Sequence, residues 1–573
     1  MSIDPVTFQV IRSRLDGIVQ EMQESIFRTG YSTIIRESQD ASCMLLDAEG
    51  SVVGEHVVLP LHVSALPEVV RAVRAAFADD IHPGDAFITN HPYIAGVTHS
   101  MDMAVVTPVF HQGRLVAFCG SIAHKSDLGG VVPGTSYGSA RELFQEGIQY
   151  PPVRFVAAGD YQRDIEAILR ANSRTPDLVV GDIRGQIGVS RLGERRVGEL
   201  FEKYGANAVL AAFTHMQDVT ESRIRSVLAS WPDGTFEAAS TVDTDGVRAD
   251  TPIRYHVQIE KNGDRIHFDF TGSDDQAHGP VNIGPALARG CAYYALIAMV
   301  DPSLPNNAGV ARVVESTFRK GSVLDPHFPA PCCTYMAATT AITEAMLVAL
   351  SNFAPLRRMA GNGGVGGISI TGKRPGGGAF VQYESIGSAY GGRATSDGVS
   401  GIAVLLSNTR CAPVEILESE YPTRVRRFEL VRDSGGPGRY RGGLSPRRVW
   451  EILIDDAQLT LRGGKHDAPA AGIDGGADGA LGSLVLNAGT PNERRLSSRF
   501  SDVKLMAGDL LTLEKAGGAG LGDPRERPFE SVVADVIDGY VSREAAIARY
   551  GLDAARLDAA LAQVDVPKEN VIA

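Results

Sequence analysis

Glycine is the feature that most constrains this chain. Sixty-three of its 573 residues are glycine, well above a usual share of about 7%, and no fixed period relates them. A collagen helix needs glycine at every third position and is therefore excluded. An aperiodic excess implies many turns and backbone brought close to other groups. The remaining composition, 44% hydrophobic and 21% charged, is that of a globular chain and excludes general disorder. At about 150 residues per domain the length suggests three or four domains. A chain this long needs no disulfide or metal staple merely to fold.

Charge and cysteine narrow the function classes. Lys+Arg 55 against Asp+Glu 68 leave −13, with a pI near 5.5. No basic run exceeds the short Arg424–Arg427 cluster, so no nucleic-acid partner is expected. The start, Met1-Ser2-Ile3-Asp4-Pro5, lacks the basic and apolar regions of a signal peptide. No stretch of about 18 apolar residues offers a membrane span. Six cysteines form no CxxC pair, and only Cys332 and Cys333 are adjacent. Buried, reduced thiols and a cytoplasmic location are the expectation.

The pattern along the chain predicts a mixed α+β, multi-domain fold of helices and antiparallel β hairpins. Asp4 can cap a first helix with Pro5 at its first position. Ile11, Leu15, Ile18, Met22 and Ile26 then recur every three or four residues, and Gly30 is the expected C-cap. Strands follow at Ser42–Leu46 and Ser51–Gly54, and a helix over Ser64–Phe77. Met103–Phe110 and Arg114–Ile122 read as a hairpin with the three-residue loop His111-Gln112-Gly113. Helices are expected at Asp164–Asn172, Asp182–His215, Pro285–Val300 and Ala337–Phe353, with strands over 216–275. The expected domains are 1–215, 216–360, a glycine-rich β region 361–525, and a short helical tail 526–573.

One end of the long hairpin concentrates chemistry. If Phe110 faces Arg114, His124 falls opposite Ser100, flanked by His99 and Asp102. Facing side chains in a sheet lie about 5 Å apart and diagonal ones about 7–8 Å. Two imidazoles and up to two carboxylates, Asp102 and Asp127, thus converge beside Gly129-Gly130. Such a mixture of N and O donors suits a divalent cation. Asp40, at the start of its own strand, could supply a further oxygen. The plainer alternative is a set of polar hydrogen-bond pairs, and Asp127 could merely orient a histidine.

Two phosphate-loop look-alikes fail on context. Gly361-Asn362-Gly363-Gly364-Val365-Gly366 satisfies GxGxxG, but Ile368-Ser369-Ile370 continues as a strand where a helix is needed. Gly367 to Lys373 imitates a Walker A loop, yet Arg374 replaces Ser/Thr and Pro375 blocks a helix. Both read as glycine-rich hairpin turns. Cys332-Cys333 reads as buried thiols. Asp433–Gly436 and Gly517–Gly520 read as turns able to approach a substrate or partner.

Taken together, a series of motifs resembles the hydantoinase B/oxoprolinase family almost end to end. It comprises Arg36-Glu37-Ser38-Gln39-Asp40, Asn90-His91-Pro92-Tyr93, His99-Ser100-Met101-Asp102 and Ala123-His124-Lys125-Ser126-Asp127-Leu128-Gly129-Gly130. Further on stand Asp269-Phe270-Thr271-Gly272-Ser273, Asn408-Thr409-Arg410, Pro413-Val414-Glu415, Tyr421-Pro422, the run from Asp433 to Gly443, and Gly520-Leu521-Gly522-Asp523-Pro524. The resemblance implies the β-type subunit of an ATP-dependent hydrolase of cyclic amides such as 5-oxoproline, hydantoins or caprolactam. Related subunits serve acetone and acetophenone carboxylases, which is the alternative function. It also implies ATP and Mg on a hydantoinase A-type kinase-like partner, an (αβ)2 heterotetramer, and one divalent metal, zinc or manganese foremost.

The implied ligands are His99, Asp102 and His124, with Asp40. Bicarbonate is a candidate phosphoryl acceptor beside the lactam. Asp127 or Asp40 is the expected general base. Lys125 stands where the family often has a second histidine, and could hold a phosphate or carboxylate as a point charge.

Overall fold

The computed structural model describes residues 3–55, 59–248 and 251–563. Asp4 begins the first helix, Pro5–Thr29, by accepting the Thr7 N–H at 2.8 Å. Ile11, Leu15, Ile18, Met22 and Ile26 form its buried stripe. Gly30 follows in an extended conformation, not a left-handed cap; a Cβ there would stand 2.8 Å from Ile35 Cγ2.

Seven antiparallel strands make the first sheet. They are β1 (Ala41–Asp47), β2 (Val52–Glu55), β3 (Ala86–Thr89), β4 (Asp102–His111), β5 (Arg114–His124), β6 (Val153–Ala157) and β7 (Asp160–Tyr161), in the order β2-β1-β5-β4-β3-β6-β7. Side chains alternate across it, as the two-residue period of a strand demands. Ala104 and Val106 join Leu66, Val69 and Val73 of the helix Ala65–Phe77 on one face. Met103 and Val105 join Val179, Ile183 and Ile187 of the helix Pro176–Tyr204 on the other.

The hairpin register differs from expectation. His111 pairs Arg114 across a two-residue turn, Gln112 and Gly113, both with positive φ (50° and 75°). A bulge between Val109 and Phe110 adds a further shift. Asp102 therefore lies directly opposite His124, where Ser100 was expected.

The helix expected over Asp182–His215 is two helices, Pro176–Tyr204 and Ala206–Leu228, separated by Gly205 at φ 77°. The boundary expected at 215 thus falls inside a helix, and the strands begin only at Gly234. Gly234–Val242, Ile253–Asn262, Arg265–Asp269 and Val314–Thr317 form a four-stranded sheet, covered by the helices Pro285–Val300 and Tyr335–Leu350. A single hydrophobic cluster runs from Phe8 to Leu406, so the first two expected domains share one core.

The glycines are explained beyond residue 360. The strands Gly367–Lys373, Ala379–Ser385, Ala457–Arg462 and Arg499–Leu505 form one sheet. Thr423–Leu430, Pro446–Ile452, Ser483–Leu486, Arg494–Leu496 and Leu510–Glu514 form another. Beside them, extended segments near 361, 392, 436–443, 477–480 and 517–521 run against one another, joined through their backbones. Gly436 N–H donates to Gly518 O at 2.8 Å, Gly518 N–H to Gly443 O at 3.0 Å, and Ala519 N–H to Gly361 O at 2.9 Å. A Cβ on Gly442 would stand 1.9 Å from Gly518 O, and one on Gly517 1.9 Å from Ser434 O. Glycine is required because no side chain fits between the segments. Asp433–Gly436 and Gly517–Gly520 are therefore parts of a packed bundle.

The look-alike loops are structural as well. Gly367–Lys373 is a strand whose hairpin partner is Ala379–Ser385. The tail is three short helices, Phe529–Ile537, Arg543–Ala548 and Ala554–Leu561, around Val532, Ala546 and Leu557. All six cysteines are free, five of them buried. Among the described residues no helix is long and apolar enough to cross a membrane.

Gly442→Ala is expected to destabilise the protein by about 3 kcal/mol, as overpacking against backbone does. Gly376→Ala, where nothing lies within 4 Å, should stay within about 0.5 kcal/mol. Equal denaturant midpoints for the two variants would contradict the close-packed bundle.

Candidate functional site

The site lies where the end of the β4–β5 ribbon meets the N-terminus of the helix Tyr335–Leu350 and the sheet that carries Tyr383. Asp102 opens β4 and His124 closes β5, so strand pairing itself brings them face to face. Asp102 Oδ1 stands 3.3 Å from His124 Nδ1 and 3.4 Å from His99 Nε2. Its Oδ2 accepts the Thr98 hydroxyl and faces His62 Nε2 at 3.6 Å. His99, Asp102 and His124 are each 1–3% exposed, and one donor atom from each lies within 4.8 Å of the others.

Neighbouring groups fix the histidine rings. The Cys333 carbonyl can only accept, so His99 donates from Nδ1 at 3.2 Å. In the neutral ring Nε2 then presents a lone pair to the cluster. Glu146 accepts the N–H groups of Cys332 (2.6 Å) and Cys333 (2.8 Å), anchoring the backbone that offers that carbonyl. His62 is held by Ser42 Oγ at 3.0 Å. The His124 ring stacks on Tyr383 at 5.1 Å, and His99 meets Tyr335 edge-on at 4.7 Å.

Asp102 Oδ1 and the Nε2 atoms of His62, His99 and His124 make no hydrogen bond within the protein. With His99 Nε2 and His124 Nδ1 both against Asp102 Oδ1 in a dry interior, a shared proton or a cation among them offsets the cost of burying so polar a group. A divalent ion with mixed N and O ligands fits this donor set. Burial opposes the Asp102 charge, but His99, His124 and His62 more than offset it and hold the carboxyl well below its usual range. Burial pushes the His124 imidazole down to about 3, so the ring is neutral and able to ligate.

The other expected site residues are placed differently. Asp40 Oδ2 lies 4.0 Å from His124 Nδ1, at the rim of the cluster. Burial, then the Asp102 charge, pushes its carboxyl up to about 7. Asp127 is not directed at the cluster. Its Oδ1 accepts from Gly129 N (2.9 Å) and Arg174 N (3.1 Å), its Oδ2 from Gly134 N (2.8 Å), and Arg174 Nη1 pairs with it at 3.2 Å. A carboxylate so occupied organises the 127–134 loop, which is why the expected general-base role does not suit it.

Lys125 is fully buried, and its Nζ donates to Ala123 O at 3.0 Å. Burial lowers its ammonium to about 8, opposed first by the carboxylate of Asp182 and then by Asp102 and Asp40. His62, Thr98, Tyr335 and Tyr383 carry no signal of this role in the sequence. Thr98 directly precedes the His99 motif, whereas the other three stand in no recognisable pattern.

Comparison with known proteins decides the family. The profile described as Hydantoinase B/oxoprolinase matches residues 4–524. The chain belongs to the hydantoinase B/oxoprolinase family. It is 31% identical to the B component of the putative D-/L-hydantoinase of Pseudomonas sp. (strain NS671), over 96% of this chain and 95% of that one. It is 29% identical to the beta chain of the caprolactamase of Pseudomonas jessenii, over 96% of each. The solved ATP-dependent caprolactamase from the same organism superimposes with a TM-score of 0.88 at 28% identity, covering 98% of this chain and all of that one.

Asp127→Ala is expected to cost about 3 kcal/mol, since it strands buried N–H groups and the Arg174 charge. Chemical denaturation reads this loss, and an unchanged midpoint would contradict the loop-organising role.

Proposed function

We propose that this family member is the ring-opening subunit of an ATP-dependent cyclic-amide hydrolase. The reading rests above all on the unpartnered donors of His99, Asp102 and His124, converging in a place closed to bulk water. These three would hold one divalent ion, zinc or manganese, with Asp40 beside them as fourth ligand or as proton acceptor. When bound, such an ion lowers the pKa of water and polarises a carbonyl or phosphoryl oxygen.

The absence of a helix after either phosphate-loop look-alike supports ATP on a separate subunit of hydantoinase A type. Relatives named as the B or beta part of their enzymes support a two-component enzyme, which we read as an (αβ)2 assembly. In this scheme the partner transfers the γ-phosphoryl group of ATP to the lactam oxygen. Water then adds at the ring carbonyl carbon, and the C–N bond breaks as nitrogen takes a proton. A second water hydrolyses the resulting acyl phosphate. Lactam, ATP and two waters thus become amino acid, ADP and phosphate.

This chain's residues supply position and dryness. The Cys333 carbonyl and Tyr335 fix the His99 ring, Tyr383 fixes that of His124, and Thr98 and His62 fix the far oxygen of Asp102. Asp40 is the carboxylate placed to receive the water proton, because Asp127 is committed elsewhere.

Elemental analysis is expected to find near one transition metal per wild-type chain and none in His99→Ala or His124→Ala. With the partner, both variants should lose ATP-dependent lactam hydrolysis by about a thousandfold or more. Retained activity in metal-free His124→Ala would sink the proposal. Asp40→Asn with metal kept but turnover lost marks a proton acceptor; metal lost marks a ligand. Label from bicarbonate in the product would favour the carboxylase alternative.

A further inference from the structure

Five arginines of the described chain are buried, and four have acceptors for the guanidinium. Arg448 pairs with Glu384, Arg441 with Asp535 at 3.3 Å, and Arg527 with Asp397 at 2.6 Å and Asp535 at 2.8 Å. Arg499 donates to the carbonyls of Thr244 and Gly463. Arg462 differs. It is 3% exposed, yet Nε, Nη1 and Nη2 all lack a hydrogen-bond partner, and no carboxylate lies within 4.0 Å among the described residues.

A guanidinium cannot shed its proton to escape burial, unlike an ammonium. Leaving such a charge buried and unpaired is costly, by several kcal/mol in ordinary interiors. A fold that keeps it so has a use for the charge.

The position of Arg462 says what that use is. On its strand it pairs directly with Gly367, and the Tyr383 ring lies over the same glycine. A Cβ on Gly367 would stand 2.6 Å from that ring, so the missing side chain lets Arg462 and Tyr383 meet. The guanidinium carbon sits 4.7 Å from the Tyr383 ring centre, over its face and near the Tyr383 hydroxyl, and none of its nitrogens has a well-formed hydrogen bond. Tyr383 in turn stacks on His124. The charge of Arg462 is felt at Asp40, His124 and Tyr335. The chain thus holds a five-donor fork with no carboxylate partner among the described residues beside the His99, Asp102 and His124 cluster.

We propose that Arg462 is the oxyanion-recognition residue of this site, taking two oxygens of the phosphoryl or carboxyl group on the activated substrate or product. Arg matches both oxygen pairs bidentately, whereas Lys offers only a point charge. The nature of the ligand rests on the cyclic-amide reading above; the existence of the anion site does not.

The test titrates the full-length, metal-loaded chain with inorganic phosphate and, separately, with bicarbonate by calorimetry. Wild type, Arg462→Gln and Arg462→Lys are compared, with metal content and thermal melting measured on each. Arg462→Gln should keep its metal and bind the anion about tenfold more weakly or worse, with Arg462→Lys between. Loss confined to phosphate assigns a phosphoryl ligand, and loss confined to bicarbonate a carboxyl ligand. Unchanged affinity in a folded Arg462→Gln, or no binding of either anion by wild type, overturns the proposal. So does metal loss in Arg462→Gln that Arg462→Lys reverses without an affinity difference from wild type, since the cation would then serve only the fold. Arg462-dependent binding without any ATP-dependent lactam turnover would overturn the hydrolase reading and leave this assignment standing.

Discussion

A buried carboxylate, Asp102, is the group around which this molecule is arranged. An isolated carboxylate in a low-dielectric interior is expensive, and it persists only where other groups stabilise its charge. Here Thr98 and the imidazoles of His62, His99 and His124 surround it. They arrive from three parts of the chain. Strand pairing delivers His124, the turn before β4 delivers His99, and the short helical turn Pro60–Ser64 delivers His62. Those rings need supports of their own, which draw in Ser42, Cys333, Tyr335 and Tyr383. Glu146 then pins the Cys332-Cys333 backbone. The constraint spreads outward from one carboxylate until it joins the N-terminal sheet, the central helix and the C-terminal sheet.

The glycine bundle answers a second requirement. The C-terminal sheet carries Tyr383 and Arg462, and the extended glycine segments pack beside it. Backbone-to-backbone hydrogen bonding among extended glycine segments satisfies N–H and C=O groups without adding volume. Gly367 extends the same device into the site itself, where its missing Cβ is the space Tyr383 occupies.

This explains which parts were legible in the sequence. The first helix has a capping residue and a periodic stripe, both local signals, and it forms as read. The ribbon was legible in kind but not in register, because a two-residue turn and a bulge at Val109–Phe110 each shift the pairing. Asp102 still meets His124, since it stands only two residues from Ser100. Gly205 carries no break signal in the sequence because the apolar period continues on both sides of it. His62, Tyr335, Tyr383 and Arg462 were invisible for a different reason. Their partners lie tens to hundreds of residues away, and nothing in their immediate neighbours marks them. Local sequence encodes elements, whereas the meeting of elements encodes the site.

Lys125 shows how that distinction bears on chemistry. It follows His124 directly, and a motif-based reading gives both a place in the centre. Successive residues at the end of a strand face opposite ways, however, and the Lys125 ammonium donates to Ala123 O, with Asp182 as its foremost opposing charge. Asp182 itself accepts the N–H groups of Tyr31 (2.7 Å) and Ser32 (3.2 Å), at the end of the first helix. The cation whose nitrogens lack a well-formed hydrogen bond beside the cluster is not the one adjacent in sequence. It is Arg462, some 338 positions on by residue number, which reaches the site only because Gly367 and Tyr383 leave it a path. Lys125 thus bears on how the ribbon end is held, while the buried cation facing Tyr383 comes from a residue that no local motif contains.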